Sequence, residues 1–135
     1  MTIEYRLGND LDLDQVIDVY RRSTLGERRP VDDRERMRQM LERANLVVTA
    51  WDGERLVGIA RSLSDFCYAT YLSDLAVDSE YQRQGIGREL MRRTQEAGGK
   101  ATVFLFAAPK AVDYYPRVGF SSGSGWMLRG EDRLR

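Results

Sequence analysis

Between Tyr71 and Ala97 the hydrophobic period changes from two to about 3.6, across a loop reading Gln82-Arg83-Gln84-Gly85-Ile86-Gly87. Tyr71 to Val77 reads as a strand. Gly85 to Ala97 reads as a helix, with Ile86, Leu90, Met91, Thr94 and Ala97 on one side and Gly98-Gly99 as its stop. A strand that feeds such a loop leaves unpaired backbone N–H groups pointing one way, and the helix adds about half a positive charge to them. That is an anion site, most naturally for phosphate or pyrophosphate. Gly85 and Gly87 let the backbone come close to an anion, and Arg83, Arg88 and Arg92 supply cationic support. The plainer reading is two glycines easing a tight turn. Two better-known phosphate loops are excluded: Leu90 stands where a dinucleotide fingerprint needs its third glycine, and no Gly-Lys-Ser/Thr is present.

The flanking pattern predicts one mixed α/β domain over residues 1–135, in the order β-α-α-β-β-β-α-β-α-β. Thr2 to Leu7 alternates like an edge strand. Asp12 and Gln15 have capping-box spacing before Leu13, Val16, Ile17 and Tyr20, and a second helix is expected from Asp33 to Ala44. Leu46 to Trp51, the turn Asp52-Gly53 and Arg55 to Leu63 read as a hairpin. Thr102 to Phe106 is a continuous apolar run, the mark of a strand covered on both faces. A short helix is expected within Pro109 to Val118, and a weak final strand within Phe120 to Leu128.

Composition removes several chemistries. The 135 residues contain no histidine, so Ser-His-Asp and Cys-His sites and imidazole–zinc sites are impossible. General acids and bases must come from Asp, Glu, Tyr, Lys, Cys67, the N-terminus or a held water. Cys67 stands alone, which predicts neither disulfide nor metal cluster and fits a cytoplasmic location. The 21 basic and 21 acidic residues balance, which argues against a dedicated nucleic-acid binder. No apolar run approaches the ~20 residues of a membrane helix, and no secretory signal is visible, so no membrane partner is expected.

Two motifs together resemble the GNAT superfamily of N-acetyltransferases. Gln82-Arg83-Gln84-Gly85-Ile86-Gly87 matches the family's Gln/Arg-x-x-Gly-x-Gly/Ala cofactor motif in full. Ala111-Val112-Asp113-Tyr114-Tyr115-Pro116-Arg117-Val118-Gly119-Phe120 is similar to its second signature, an aromatic-Tyr pair shortly before Gly-Phe. The resemblance implies a mostly antiparallel sheet, flanked by helices and splayed at an acetyl-CoA site. It further implies that backbone groups of Leu75, Ala76 and Val77 pair with the pantetheine arm, while Gln82, Arg83, Gln84, Gly85, Ile86, Gly87 and Arg88 hold the pyrophosphate. No metal is implied.

The same resemblance implies direct attack of an amine on the thioester, with Tyr115 protonating the departing thiolate. Tyr115 can act as an acid at neutral pH, as can Tyr114, and Pro116 removes a helix amide directly after it. Family members often place a base at positions matching Tyr71 or Ser73, neither of which is an obvious base here. Asp74 is the candidate in its place, orienting a water or binding the amine, against the plainer reading of a structural carboxylate. Asp65 is placed to meet a cationic acceptor or to serve as an ordinary loop Asp. Without histidine to form its thiolate, Cys67 reads as a partly buried small residue rather than an acyl carrier. Phe66, Tyr68, Tyr71 and Trp126 are candidate acceptor-pocket residues. The expected acceptor is an amine on a small molecule or peptide, and a homodimer is compatible with so small a chain. The competing reading is a non-catalytic acyl-CoA-binding module of the same fold.

Overall fold

The computed structural model describes residues 2–135. Its elements are β1 (Glu4–Leu7), α1 (Leu13–Arg22), α2 (Arg34–Arg43), β2 (Leu46–Asp52), β3 (Arg55–Ser64), β4 (Ala69–Val77), α3 (Ile86–Ala97), β5 (Thr102–Phe104) and α4 (Tyr114–Arg117), with short 3-10 turns at Thr24–Arg28, Ser79–Tyr81 and Pro109–Ala111. One five-stranded sheet runs β1-β2-β3-β4-β5; its first three pairings are antiparallel and the last is parallel. This is the expected mixed α/β fold.

Helix starts follow local chemistry. Asp12 accepts the Asp14 amide at the head of α1, and Asp33 accepts the Arg36 amide at the head of α2. The capping box is not closed at Asp12, because Gln15 reaches instead to the Glu54 carbonyl at 3.2 Å. Val16, Ile17, Val19 and Tyr20 of α1 and Met37 and Leu41 of α2 pack with Val47, Ile59 and Ala76 on one face of the sheet. On the other face α3 lies against Gly58. A Cβ there would meet Leu90 at 3.1 Å and Ile86 at 3.3 Å, so the helix sits closer than another residue would permit. Leu90 and Ile86 are both buried, and each contributes about 2 kcal/mol by leaving water.

Residues 1–105 form one compact unit and 106–135 a second. In the second unit, α4 is a single turn, and the Tyr115 ring lies edge-to-face with Tyr114 and with Phe120, each at 5.4 Å between centroids. Gly119 at φ 108° makes the turn that returns the Phe120 amide to the Tyr115 carbonyl. Two expectations fail. No strand forms among residues 120–128, where Trp126, Met127 and Leu128 stand exposed. The run from Thr102 is a three-residue strand at the end of the sheet order, and Phe104 is half-exposed rather than covered on both faces.

Candidate active site

The site is built on an irregularity in β4. From the loop end, β4 pairs with β3 as Val77 with Gly58, Ala76 with Ile59, Leu75 with Ala60 and Asp74 with Arg61. The next pair is Leu72 with Ser62, so Ser73 is an extra residue with no partner. Such a bulge twists and bends its strand and puts two successive side chains on one side of the sheet. The neighbours bear this out. Leu75 and Val77 point toward α3, within 4.0 and 3.7 Å of a Cβ placed on Gly87. On the far side of the bulge Thr70 faces α3 as well, 2.9 Å from a Cβ placed on Gly98. Ser73 and Asp74 both turn to the opposite face, toward α1.

Pairing with β5 ends where the bulge begins. Ala69, Thr70 and Tyr71 pair with Thr102, Val103 and Phe104, and among the described residues no strand continues beside Leu72 to Val77. That stretch of β4 therefore has β3 on one edge and an open edge on the other, and the 3-10 turn at Ser79–Tyr81 connects it to the Gln82–Gly87 loop.

The loop is pinned from beneath. Asp78 is buried; it accepts the Glu80 amide at 2.9 Å, pairs with Arg55 at 3.1 Å and is also bonded by Arg22. Gln82 turns inward and donates to the Val77 carbonyl at 3.0 Å, which closes the end of β4. Arg83 at φ 65° and Gly85 at φ 83° are left-handed, and Gly85 is the N-cap of α3 with no side chain bonding the helix amides. The first amides of α3 thus face outward without the carboxylates that cap α1 and α2. A Cβ on Gly85 would meet nothing within 4 Å, so its glycine serves backbone conformation rather than relief of a clash within the chain. Arg83 and Arg88 are exposed and form no ion pair among the described residues. Arg92, expected to support an anion, is instead bonded by Glu89 and Glu96. Ile86 is buried against Gly58 and presents only its backbone to the loop. Ala76 packs in the α1 core and likewise has only its main chain to give.

Asp74, the sequence candidate for base or amine binder, has no exposed surface. Its carboxylate takes Arg61 Nε at 2.5 Å, Arg29 Nε at 2.5 Å, the Tyr20 hydroxyl at 2.6 Å and Ser73 Oγ at 3.2 Å. Burial pushes its pKa up, but the Arg61 guanidinium and the bonds from Arg61, Tyr20 and Arg29 more than offset this, leaving it below the usual carboxylate value. Tyr20 moves the other way: burial, then the Asp74 charge, hold its hydroxyl protonated well above 10. Arg29 Nη2 also bonds the Ser73 carbonyl at 2.7 Å, and Arg61 Nη2 bonds Ser73 Oγ at 2.9 Å, so the bulge itself is clasped. Sequence reasoning missed both arginines. The available signal was Arg61 within the otherwise apolar Leu56 to Leu63 stretch, facing an Asp on the next strand.

The remaining candidates lie apart from this network. Asp65 folds back on its own loop, accepting the amides of Cys67, Tyr68 and Ala69, which hold it well below the usual carboxylate range. Cys67 is exposed rather than partly buried, and its thiol is pushed up by desolvation and the Asp65 charge, which disfavours a thiolate. Phe66, Tyr68 and Tyr71 are all exposed, so none of them is a core residue. No helix is long and apolar enough to cross a membrane, and no cluster of three or more metal-ligating side chains occurs among the described residues.

A strand edge opened at a bulge, followed by helix amides that no side chain caps, is an arrangement suited to an anionic ligand. The acetyltransferase (GNAT) domain model matches residues 18–125, and the chain belongs to that family. It is similar to the chloroplastic GCN5-related N-acetyltransferase 2 of Arabidopsis thaliana, 35% identical over 79 residues that cover 53% of this chain and 31% of that one. A ycf52-like N-acetyltransferase of Prochlorococcus marinus is 32% identical over 101 residues, covering 70% of this chain and 54% of the other. The chain thus matches about a third of its Arabidopsis relative and about half of the cyanobacterial one. Among solved structures, a GNAT-family acetyltransferase from Streptococcus pneumoniae superposes with a TM-score of 0.76 at 28% identity, covering 95% of this chain and 99% of that chain. An aminoglycoside N-acetyltransferase solved with CoA shares the fold at a TM-score of 0.74 and 14% identity, covering 96% and 95%.

Proposed function

We infer that this protein transfers the acetyl group of acetyl-CoA to a primary amine of a small molecule or peptide. The observation that carries the reading is the open edge of β4 from Leu72 to Val77, followed, after the short turn at Ser79–Tyr81, by the uncapped amides at Gly85. In this reading the main chain of Leu75, Ala76 and Val77 pairs with the pantetheine amides as a further strand would. The amides from Gln82 to Arg88 hold the pyrophosphate, with Arg83 and Arg88 adding charge from the rim. The reactive thioester then lies at the bulge end of the opening, beside Ser73.

Transfer begins when the amine nitrogen bonds to the thioester carbonyl carbon, and it ends with loss of the thiolate. Tyr115 gives its phenolic proton to that thiolate, a role supported by its place five residues before Phe120 in the second family motif. Asp74 acts as a fixed charge rather than a base, since its lone pairs are engaged by four donors. The attacking amine therefore enters neutral and loses its proton through water.

That lack of a free carboxylate at the bulge also favours a second reading, a non-catalytic acyl-CoA-binding module. Calorimetric titration with acetyl-CoA and a thiol-release assay over a panel of primary amines test both. Tight binding with amine-dependent release supports the transferase, binding without release supports the module, and no binding overturns both.

A further inference from the structure

We propose that the acceptor is a small amine that also carries a carboxylate, and that Arg29 is the residue that reads it; the proposal rests on the transferase reading. The argument starts from which face of β4 an acceptor can reach. Toward α3 the sheet is closed at the bulge: Leu72 is buried, and Thr70 lies against the C-terminal end of α3. The other face presents Ser73, half-buried, and Tyr71, exposed, beside the 3-10 turn that ends in Arg28 and is followed by Arg29. An amine attacking a thioester beside Ser73 comes from that side.

The charges on that side do not cancel. Arg29 and Arg61 share the single carboxylate of Asp74, and no other carboxylate lies within ion-pair distance of either among the described residues. Tyr20 contributes no charge, because burial keeps it protonated. One positive charge is left over. Arg61 is sealed in, its remaining bonds going to the Met40 carbonyl and Ser73 Oγ. Arg29 is 23% exposed, and its Nε, Nη1 and Nη2 bonds to Asp74, the Arg28 carbonyl and the Ser73 carbonyl use three of five N–H donors. That leaves two N–H donors without a partner among the described residues, on a partly exposed guanidinium that already reaches the Ser73 carbonyl. A carboxylate beside the attacking amine matches them, whereas a second ammonium is repelled.

The test compares three acceptors with the same primary amine and different tails: β-alanine, propylamine and 1,3-diaminopropane. For the full chain, kcat/KM is expected to favour β-alanine about tenfold over propylamine and further over the diamine. Arg29→Lys keeps the ranking, Arg29→Gln levels it and Arg29→Glu reverses it toward the diamine. Equal rates for all three, or a diamine preference in the unaltered protein, would overturn the proposal. So would an unchanged β-alanine preference in Arg29→Gln.

A second measurement needs no turnover: calorimetric binding of β-alanine and of 1,3-diaminopropane to the protein saturated with CoA. Loss of β-alanine binding in Arg29→Gln, with CoA still bound and with β-alanine binding retained in Arg29→Lys, supports the proposal. Absence of any β-alanine preference in this assay refutes it. Failure of CoA itself to bind refutes instead the transferase reading beneath it.

Discussion

Replacing Asp74 by Asn tests whether the buried charge cluster holds this fold together. The substitution keeps the volume and one acceptor oxygen, but it leaves the Arg61 and Arg29 guanidiniums facing each other without a counter-charge. Asp74 has no exposed surface and Arg61 is nearly enclosed, so water cannot take the carboxylate's place. Removing one partner of a buried pair costs about 3–5 kcal/mol, because a charge remains desolvated and uncompensated. For a chain of this size that corresponds to a fall of about 10–18 °C in Tm. Urea unfolding followed by circular dichroism at pH 7 measures the loss. Its pH dependence gives a second check. Asp74 has a folded pKa below its unfolded value, so its contribution is complete above about pH 4 and is lost as the pH falls through the folded value. The gap between the parent protein and Asp74→Asn should therefore be constant from pH 5 to 8 and shrink in stronger acid. Tyr20→Phe, which removes one donor to that carboxylate and no charge, should cost less, about 2 kcal/mol. A loss below about 1 kcal/mol for Asp74→Asn, or a gap that does not close in acid, would refute this account of the cluster.

Three other outcomes follow from single residues. Gly85→Glu strains a residue at φ 83° and places a carboxylate before the α3 amides, so acetyl-CoA affinity should fall at least about 100-fold by calorimetry while the fold persists. Tyr115→Phe should lower kcat about tenfold or more and leave the acetyl-CoA dissociation constant within about twofold; stopped-flow thiol release at saturating substrate separates the two. Ser62 is buried, and its Oγ is the one enclosed side-chain polar atom among the described residues that lacks a hydrogen bond. Ser62→Ala should accordingly leave stability unchanged or raise it by about 1 kcal/mol in urea unfolding.

The helices and the glycine turn before α3 were legible because their signals are local. Val16, Ile17 and Tyr20 mark the buried face of α1 by spacing alone, and Gly85 announces a left-handed backbone that few other residues adopt. The charge cluster was not legible. Arg29, Arg61 and Asp74 are separated by 32 and 13 positions; Arg61 stands out only as a charge within an apolar stretch, and nothing local distinguishes Arg29 from the other arginines, of which the chain has 19 in all. The bulge was hidden for a different reason. Burial alternates without a break from Thr70 to Val77, so the pattern resembles a regular strand, although the face toward which each buried residue points changes at Ser73. At the other end, the apolar run from Thr102 suggested a central strand. Only the topology reveals that β5 ends the sheet order and leaves Phe104 half in water.

The extra residue at Ser73 ties the open edge of β4 to the buried charges. Without it, β4 would hold its alternation, Asp74 would stay opposite Ser73, and nothing would turn the strand from β5 after Tyr71. With it, the strand bends where the parallel pairing ends, and Ser73 and Asp74 come to the same face. That face is the one from which Arg29 and Arg61 arrive, and both bond Ser73 as well as Asp74. A bulge leaves its extra residue outside the ladder, and here Arg29 donates to the orphaned Ser73 carbonyl while Arg61 fixes the Ser73 hydroxyl. Stability and site are consequently not separable at this position. The groups that compensate the irregular backbone are those that set the charge beside the opening, so a change that relaxes the bulge must also alter what the opening can bind.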